Sequence, residues 1–202
     1  MSLAALIAAG ALICPAPAGA QQLVTVQAPP GATSASLALW ARRGACMRRV
    51  AGPWRAELGA GGLSSHKREG DGATPTGTYR FGPTMYGVDS NPGVAFAYHR
   101  LVCGDWWDED PSSSLYNRFV HVACGVTPSF RGGSEALWRI VPQYDWFAVI
   151  EYNAHPVVAG RGSAIFLHVS TGHPTAGCVS LPRAQLLRVL RWLRPGAEIR
   201  LG

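Results

Sequence analysis

A histidine and a cysteine near the C-terminus have the types and the spacing that thiol-based acyl transfer would need. His168 stands at the end of the apolar run 165–169, and ten residues later Cys178 follows Gly177 and precedes the apolar run 179–181. Cysteine attacks as its thiolate, which a neighbouring base or positive charge makes accessible. The alternative is a buried structural cysteine beside a hydrogen-bonded histidine. The Gly-Cys pair and the flanking strand-like runs favour catalysis, with Cys178 as nucleophile and His168 as proton acceptor and donor.

The residue before the cysteine has a predicted role of its own. Gly177 has no side chain, so the backbone can approach a carbonyl substrate closely. Its N–H and that of Cys178 are the candidate donors of an oxyanion hole, which would stabilise the negative charge of a tetrahedral intermediate.

These residues resemble the signature of the L,D-transpeptidase (YkuD-type) catalytic domain. That signature has a histidine at a strand end, a variable loop, and then Ser or Thr, any residue, Gly and Cys. Here it is matched by His168 and by the segment 175–178. A second segment, 67–79, resembles the Gly-, Thr- and Pro-rich turn and strand that open the same domain. The two segments bracket roughly residues 56–202.

The chain departs from the family pattern at three points. Ala176 stands where the family usually has histidine, Ser180 stands where it usually has arginine, and the loop between His168 and Cys178 is shorter than usual. These departures bear on the choice of substrate and on rate more than on the identity of the nucleophile.

The resemblance implies a fold, an activity and further site residues. The fold would be a mainly β, YkuD-like sandwich of mixed sheets with one or two short helices. The carbonyl of Val169 would orient His168. The substrate would be a peptidoglycan stem peptide, cross-linked 3→3 through a thioester on Cys178, with no metal or organic cofactor. The residues expected to contact the substrate are Thr175, Ser170, His173 and Tyr86.

The chain divides into three parts by composition. Residues 1–20 carry no charge, contain an apolar stretch and end in Ala-Gly-Ala, which is typical of a cleaved export signal. Residues 21–35 are rich in polar residues, Pro, Ala and Thr and are interpreted as a linker. The catalytic domain is predicted over 36–202. The mature chain is expected to be a secreted or cell-envelope protein, monomeric and without a transmembrane span.

Export would permit disulfides, and Cys103–Cys124 is the predicted pair because the two cysteines flank a long polar segment. A zinc site is the alternative, since His99 and His121 lie close to the same cysteines in sequence. Cys46 is left without a predicted partner, because Cys14 falls within the export signal.

Short apolar runs separated by Gly- and Pro-rich turns predict a mainly β fold. One helix is predicted from Pro182 to the Pro-Gly pair at 195–196, because apolar residues recur there at helical spacing. A second, short helix is possible over 134–140. The predicted strands are 36–41, 78–81, 119–122, 146–152, 165–169 and 179–181.

The net charge of the chain indicates which kinds of binding partner to expect. The formal net charge is +6, which would draw an exported protein to anionic envelope polymers. Long basic runs are missing, so nucleic acid is not an expected partner. The acidic segment 105–110 could receive an amine-bearing acceptor, bind calcium or simply be solvated. A related cysteine hydrolase, a catalytically weak envelope-binding module and a structural zinc protein are the alternative functions.

Overall fold

The structure is a computed structural model that describes residues 11–202. Residues 1–10, the first half of the predicted export signal, lie outside the described residues. Over the described range the chain forms one α-helix, α1 (Arg183–Trp192), and a single 3-10 turn (Leu137–Arg139). The strands, numbered in chain order, are β1 Leu12–Ile13, β2 Gln22–Gln27, β3 Ser34–Arg43, β4 Cys46–Glu57, β5 Leu63–Ser64, β6 Thr74–Pro75, β7 Gly77–Gly87, β8 Ala97–Arg100, β9 Asp105–Asp108, β10 Arg118–His121, β11 Glu135–Ala136, β12 Phe147–Ile150, β13 Phe166–Val169, β14 Val179–Leu181 and β15 Glu198–Leu201.

A ten-stranded mixed sheet dominates the fold within residues 11–202. Its order is β1-β4-β14-β13-β12-β7-β15-β2-β3, with β8 paired to β7. Strand β3 also pairs with β4, so the path closes on itself. The pairs β13–β14, β15–β2 and β7–β8 are parallel, and the other pairs of this sheet are antiparallel. The mainly β, mixed-sheet architecture implied by the family resemblance is therefore confirmed.

Strands β13 and β14 place the two candidate catalytic residues side by side. Every residue of both strands is buried, as expected for strands in the middle of a sheet covered on both faces. In their parallel register His168 pairs with Ser180. Because side chains alternate along a strand, the side chain two positions before Ser180, that of Cys178, is directed to the same face.

Helix α1 follows β14 directly. Its start at Arg183 is preceded by Pro182, whose fixed φ suits the entry to a helix. Leu186, Val189 and Leu190 are buried and belong to the main hydrophobic core. Burying each of these side chains contributes roughly 2 kcal/mol to the stability of the fold. The packing of α1 therefore helps to hold β14, the strand that follows Cys178, in position. The predicted second helix over 134–140 is limited to the 3-10 turn, because residues 135–136 pair with β9 instead.

The predicted linker over 21–35 is wrong over much of its length. Residues 22–27 form β2, which pairs with β15 on one side and β3 on the other. Leu23, Val24 and Val26 are fully buried. Burial of these three apolar side chains outweighs the polar residues and prolines that surround them.

The cysteines form two disulfides within the described residues. Cys103–Cys124 is bonded as predicted, which removes both thiols from the alternative zinc site. His99 and His121 both bind the carboxylate of Asp105 instead. Cys46, for which the sequence offered no partner, is bonded to Cys14. In residues 11–202 no helix combines the length and the apolar character that a membrane span requires.

Candidate active site

Cys178 and His168 line the same cavity, which has a volume of about 230 Å³. The loop that joins β13 to β14 supplies part of its wall, and the turn before β12 supplies another part. Thr175 and His173 line the cavity from the loop, Gln143 lines it from the turn, and Glu135 lines it from β11.

His168 is buried and held in one orientation. Its Nδ1 lies 2.8 Å from the carbonyl oxygen of Val169, to which the ring N–H donates. The second ring nitrogen, Nε2, is then an acceptor. Burial lowers the pKa of His168 to about 4, although the hydrogen bond to Val169 acts in the opposite direction. The imidazole is therefore neutral, and able to accept a proton, across the physiological pH range.

The Cys178 thiol is also neutral in this arrangement. Its Sγ lies 3.1 Å from the carbonyl oxygen of Ala164, to which it donates, and accepts a hydrogen bond from Phe166 N–H at 3.3 Å. Burial raises the pKa of the thiol far above its usual range, and the carboxylates of Glu135 and Glu109 raise it further. A thiol with its pKa lowered by the histidine was expected. The lack of water around Sγ and the nearby negative charge outweigh that influence.

Thr175 and Gly177 shape the turn that presents the cysteine. Thr175 Oγ1 donates to the carbonyl of Cys178 at 2.7 Å and accepts from Gly177 N–H at 3.1 Å. Gly177 has φ +142°, and a Cβ there would lie 2.9 Å from the carbonyl oxygen of Ala73, so glycine is required for backbone conformation and for space. Gly177 N–H, a predicted oxyanion donor, is hydrogen-bonded to Thr175 in this structure.

The second segment of the family resemblance, 67–79, meets the cysteine turn. Thr74 Oγ1 contacts the Cys178 carbonyl at 3.4 Å and accepts a hydrogen bond from Gly59 N–H at 2.8 Å. Gly59 in turn forms an isolated bridge with Thr175. The two sequence segments singled out from the primary structure are therefore adjacent in space.

Two of the predicted substrate contacts lie at the cavity and two do not. Thr175 and His173 line it. Ser170 Oγ accepts a hydrogen bond from Gly172 N–H within the loop and is not among the lining residues. Tyr86 stacks between Phe119 and Phe147 and borders a separate cavity of about 340 Å³. The structure therefore places Tyr86 outside the cavity that contains Cys178, with its ring packed against Phe119 and Phe147.

Carboxylates beside the nucleophile are the main feature that sequence reasoning missed. Glu135 lines the cavity and accepts a hydrogen bond from Tyr144 Oη. Glu109 lies behind it, with Oε2 at 3.4 Å from Ser163 Oγ, a hydroxyl that also donates to Glu69 at 2.6 Å. Burial raises the pKa of Glu135 to about 7 and that of Glu109 to about 9, the latter helped by repulsion from Glu135 and Glu69.

The acidic segment 105–110 gave a partial signal for this cluster. Asp105 and Asp108 are fully buried, so the alternative of a solvated segment is wrong for these two residues. Glu135, however, lies far from that segment in sequence and reaches it only because β11 pairs with β9. Lys67 begins the segment 67–79, and the sequence predicts no role for it. Its ammonium is buried and bound to Asp71 at 2.6 Å.

Comparison with known protein families identifies the class of protein. A family model described as the L,D-transpeptidase catalytic domain, YkuD, matches residues 34–201. The match covers most of the chain, including both β13–β14 and the segment 67–79, and the chain therefore belongs to the L,D-transpeptidase catalytic domain family. No curated protein and no solved structure matches the chain.

Proposed function

We propose that this protein is an exported cysteine L,D-transpeptidase that cross-links peptidoglycan stem peptides. The observation that supports this most directly is the shared cavity of Cys178 and His168, with His168 fixed through Val169. Membership of the L,D-transpeptidase family supplies the class of reaction. The substrate and the cross-link are inferences from these two findings taken together.

In the first half-reaction the thiol becomes an acyl carrier. Once the substrate is bound, Sγ of Cys178 attacks the carbonyl that precedes the D-Ala at position four, and the S–H proton passes to Nε2 of His168 as the bond forms. A C–S bond forms and the carbonyl oxygen takes up the negative charge. The C–N bond then breaks, the D-Ala amine leaves with the proton from His168, and a thioester remains.

In the second half-reaction an amine takes the acyl group. A side-chain amine of another stem peptide attacks the thioester carbon and gives a proton to His168. The new C–N bond forms, the C–S bond breaks, and the proton returns to the sulfur. The net reaction exchanges one amide bond for another and consumes no cofactor.

The negatively charged oxygen of each tetrahedral intermediate needs a hydrogen-bond donor to stabilise it. Gly177 N–H is bound to Thr175, so we assign this role to the main-chain N–H of Cys178. A backbone donor fixed by the turn needs no reorganisation when the charge develops, which is the property that makes such groups effective.

The resting state fits a neutral thiol and a neutral imidazole rather than an ion pair. Both groups are buried, and separating charge there before substrate binds would be unfavourable. The proton therefore moves as the C–S bond forms. This differs from cysteine enzymes in which a lowered thiol pKa gives a thiolate in advance.

We also propose export to the cell envelope and action as a monomer. The Cys103–Cys124 disulfide is compatible with an oxidising compartment. The Cys14–Cys46 bond includes a residue that cleavage of the predicted export signal would remove, so it does not support this point. The net charge of +6 suits attraction to anionic envelope polymers. Fractionation of the producing cells and sedimentation of the purified protein test these two points separately.

Product analysis tests the proposed activity. Purified tetrapeptide muropeptides are incubated with wild-type protein, Cys178→Ala and a matched control, Ser114→Ala, and the products are resolved by mass spectrometry. We expect 3→3 dimers with wild type and Ser114→Ala, and none with Cys178→Ala. Tripeptides without dimers would support a hydrolase instead. No product together with binding of muropeptide would support an envelope-binding module.

A further inference from the structure

We propose that Glu135, Gln143 and Ser180 form a binding site for the ammonium group of the acceptor, on the wall of the cavity that contains Cys178. The inference rests on the proposed function, since it names the residues that would select an amine acceptor in the second half-reaction. It is distinct from that function in that ammonium binding can be measured without any turnover.

The wall of the cavity is rich in hydrogen-bond acceptors that the protein itself does not use. Ser180 is 1% exposed, and its Oγ lines the cavity without a hydrogen-bond partner in the described residues. Gln143 Oε1 lines the same cavity and is likewise buried and unpaired in that range. Native proteins rarely leave buried polar atoms without partners, so two in one cavity indicate a ligand that hydrogen-bonds to both. Gln143 Oε1 can only accept, and Ser180 Oγ can accept as well as donate.

The charge of the residues that line the cavity indicates that the ligand's hydrogen-bond donor is positively charged. Glu135 is a carboxylate, and among the described lining residues there is neither a lysine nor an arginine. None of the ion pairs found within residues 11–202 involves Glu135 or Glu109. Within the described residues, Glu135 therefore has no cation paired directly with its carboxylate. A ligand that brings a positive charge would provide it.

An alkylammonium group satisfies both requirements. It has three N–H donors and no acceptor, which matches three acceptor side chains and one negative charge. A carboxylate or a phosphate would place like charges together and would leave the same acceptors unpaired. Water could fill the hydrogen bonds but would not neutralise Glu135, so the site favours an amine over water as the second substrate.

The partner of Glu135 ties this site to the catalytic base. Tyr144 donates to Glu135, and its ring packs edge-on against His168 with 5.7 Å between ring centres. An ammonium held at Glu135 therefore lies next to the imidazole. It must lose one proton before it attacks, and the Glu135 carboxylate can take that proton; the neutral amine then attacks the thioester and gives its second proton to His168, which passes it to the sulfur.

Binding of two matched probes tests the proposal independently of catalysis. Nα-acetyl-lysine amide presents an ammonium, and Nα-acetyl-norleucine amide presents the same chain ending in a methyl group. Each is titrated into wild-type protein and followed by NMR. We expect wild type to bind the lysine probe about tenfold more tightly, the size of effect given by one hydrogen-bonded charge. Equal affinity for the two probes in wild type would overturn the proposal.

Variants show which residues give rise to the preference for the lysine probe. Glu135→Gln keeps the shape and an oxygen for Tyr144, and should reduce the preference to twofold or less, whereas Glu198→Gln on β15 should leave it unchanged. Gln143→Leu removes an atom that bonds nothing in the described chain, and should weaken the preference even if Glu135→Gln does not fold. Preference retained in both site variants would contradict the proposal. Loss of acyl transfer without loss of probe binding would instead refute only the proposed function.

Discussion

The Cys178 thiol donates its hydrogen bond to the carbonyl of Ala164, with 3.1 Å between Sγ and the oxygen. Ala164 has φ +51°, a left-handed conformation that costs a non-glycine residue about 1 kcal/mol or more. Its N–H is bound to Asn117 Oδ1 at 3.1 Å, which helps to hold that conformation. The hydrogen bond of the nucleophile thus goes to a backbone carbonyl, and burial keeps the group as a thiol.

The first prediction concerns alkylation of Cys178, the one free cysteine among residues 11–202. Burial raises the pKa of the thiol, so the rate of reaction with iodoacetamide should rise about tenfold per pH unit through pH 9, because the thiolate fraction does so. Glutathione, measured in parallel, should level off near its own pKa. A labelling rate that reaches its maximum below pH 8 would mean that the thiol is ionised in the resting protein.

The second prediction concerns the base. His168→Ala should slow acylation of Cys178 by about 10²- to 10⁴-fold, the usual contribution of a positioned general base. The exposed His155 provides the control, and His155→Ala should acylate at the wild-type rate. Stopped-flow or quenched mass spectrometry measures both. Similar rates for His168→Ala and wild type would show that another group accepts the proton.

The pH profile of acylation gives a third prediction. The pKa of His168 is lowered to about 4, so the imidazole stays neutral well below pH 6. Acylation should remain near its full rate down to about pH 5 and fall as pH passes through 4. Folding is monitored at each pH by circular dichroism. An acid limb centred near the ordinary histidine value, about 6.5, would contradict the buried, neutral base.

The fourth prediction concerns stability at alkaline pH. Burial raises the pKa of Glu109 to about 9, whereas the unfolded chain ionises near 4.5, so between these values the folded state holds an extra proton. The free energy of unfolding should therefore fall as pH rises from 7 to 9, by at most about 1.4 kcal/mol per pH unit. Urea denaturation at pH 7, 8 and 9 measures this.

The matched variants for that measurement are Glu109→Gln and Glu198→Gln. Glutamine at position 109 cannot ionise, so its stability should change less over this range than that of wild type. The Glu198 variant should follow wild type. Parallel curves for wild type and Glu109→Gln would mean that Glu109 is ionised in the folded protein.

The fifth prediction concerns the Cys103–Cys124 disulfide, whose cysteines are separated by 21 positions. Closing a loop of this length stabilises the folded state by roughly 3 kcal/mol in the chain-entropy model. Cys103→Ser/Cys124→Ser should lose about this much in urea denaturation under oxidising conditions. Dithiothreitol should lower the stability of wild type by more than it lowers the stability of the variant. Equal stability of wild type and the double variant would show that this bond does not stabilise the fold.

Local patterns in the sequence predicted the parts of the fold and site that depend on nearby residues. Residues 179–181 form a strand as expected, and the helix after Pro182 follows its apolar spacing. His168 and Cys178 meet at one cavity because their strands are neighbours in sequence and in the sheet. The Cys103–Cys124 bond also joins residues that flank a single segment.

Features that arise from long-range pairing were not predicted. Glu135 reaches the cavity through the pairing of β11 with β9, and nothing near residue 135 in sequence indicates that neighbour. The raised thiol pKa depends on burial by several strands and on Glu135, so the local Gly-Cys motif suggested the opposite direction. Strand β2 pairs with its neighbour β3 and with β15 at the far end of the chain, and only the second of these pairings is long-range.

The central claim is that Cys178 performs acyl transfer, and intact-protein mass spectrometry after exposure to a β-lactam tests it most directly. A carbapenem, the class that the family resemblance favours, presents a strained carbonyl that the thiol should open and retain as a thioester. We predict one adduct in wild type, located by peptide mapping to the segment that contains Cys178, and none in Cys178→Ala. An adduct of equal amount in Cys178→Ala, or none in wild type after prolonged incubation, would contradict the mechanism.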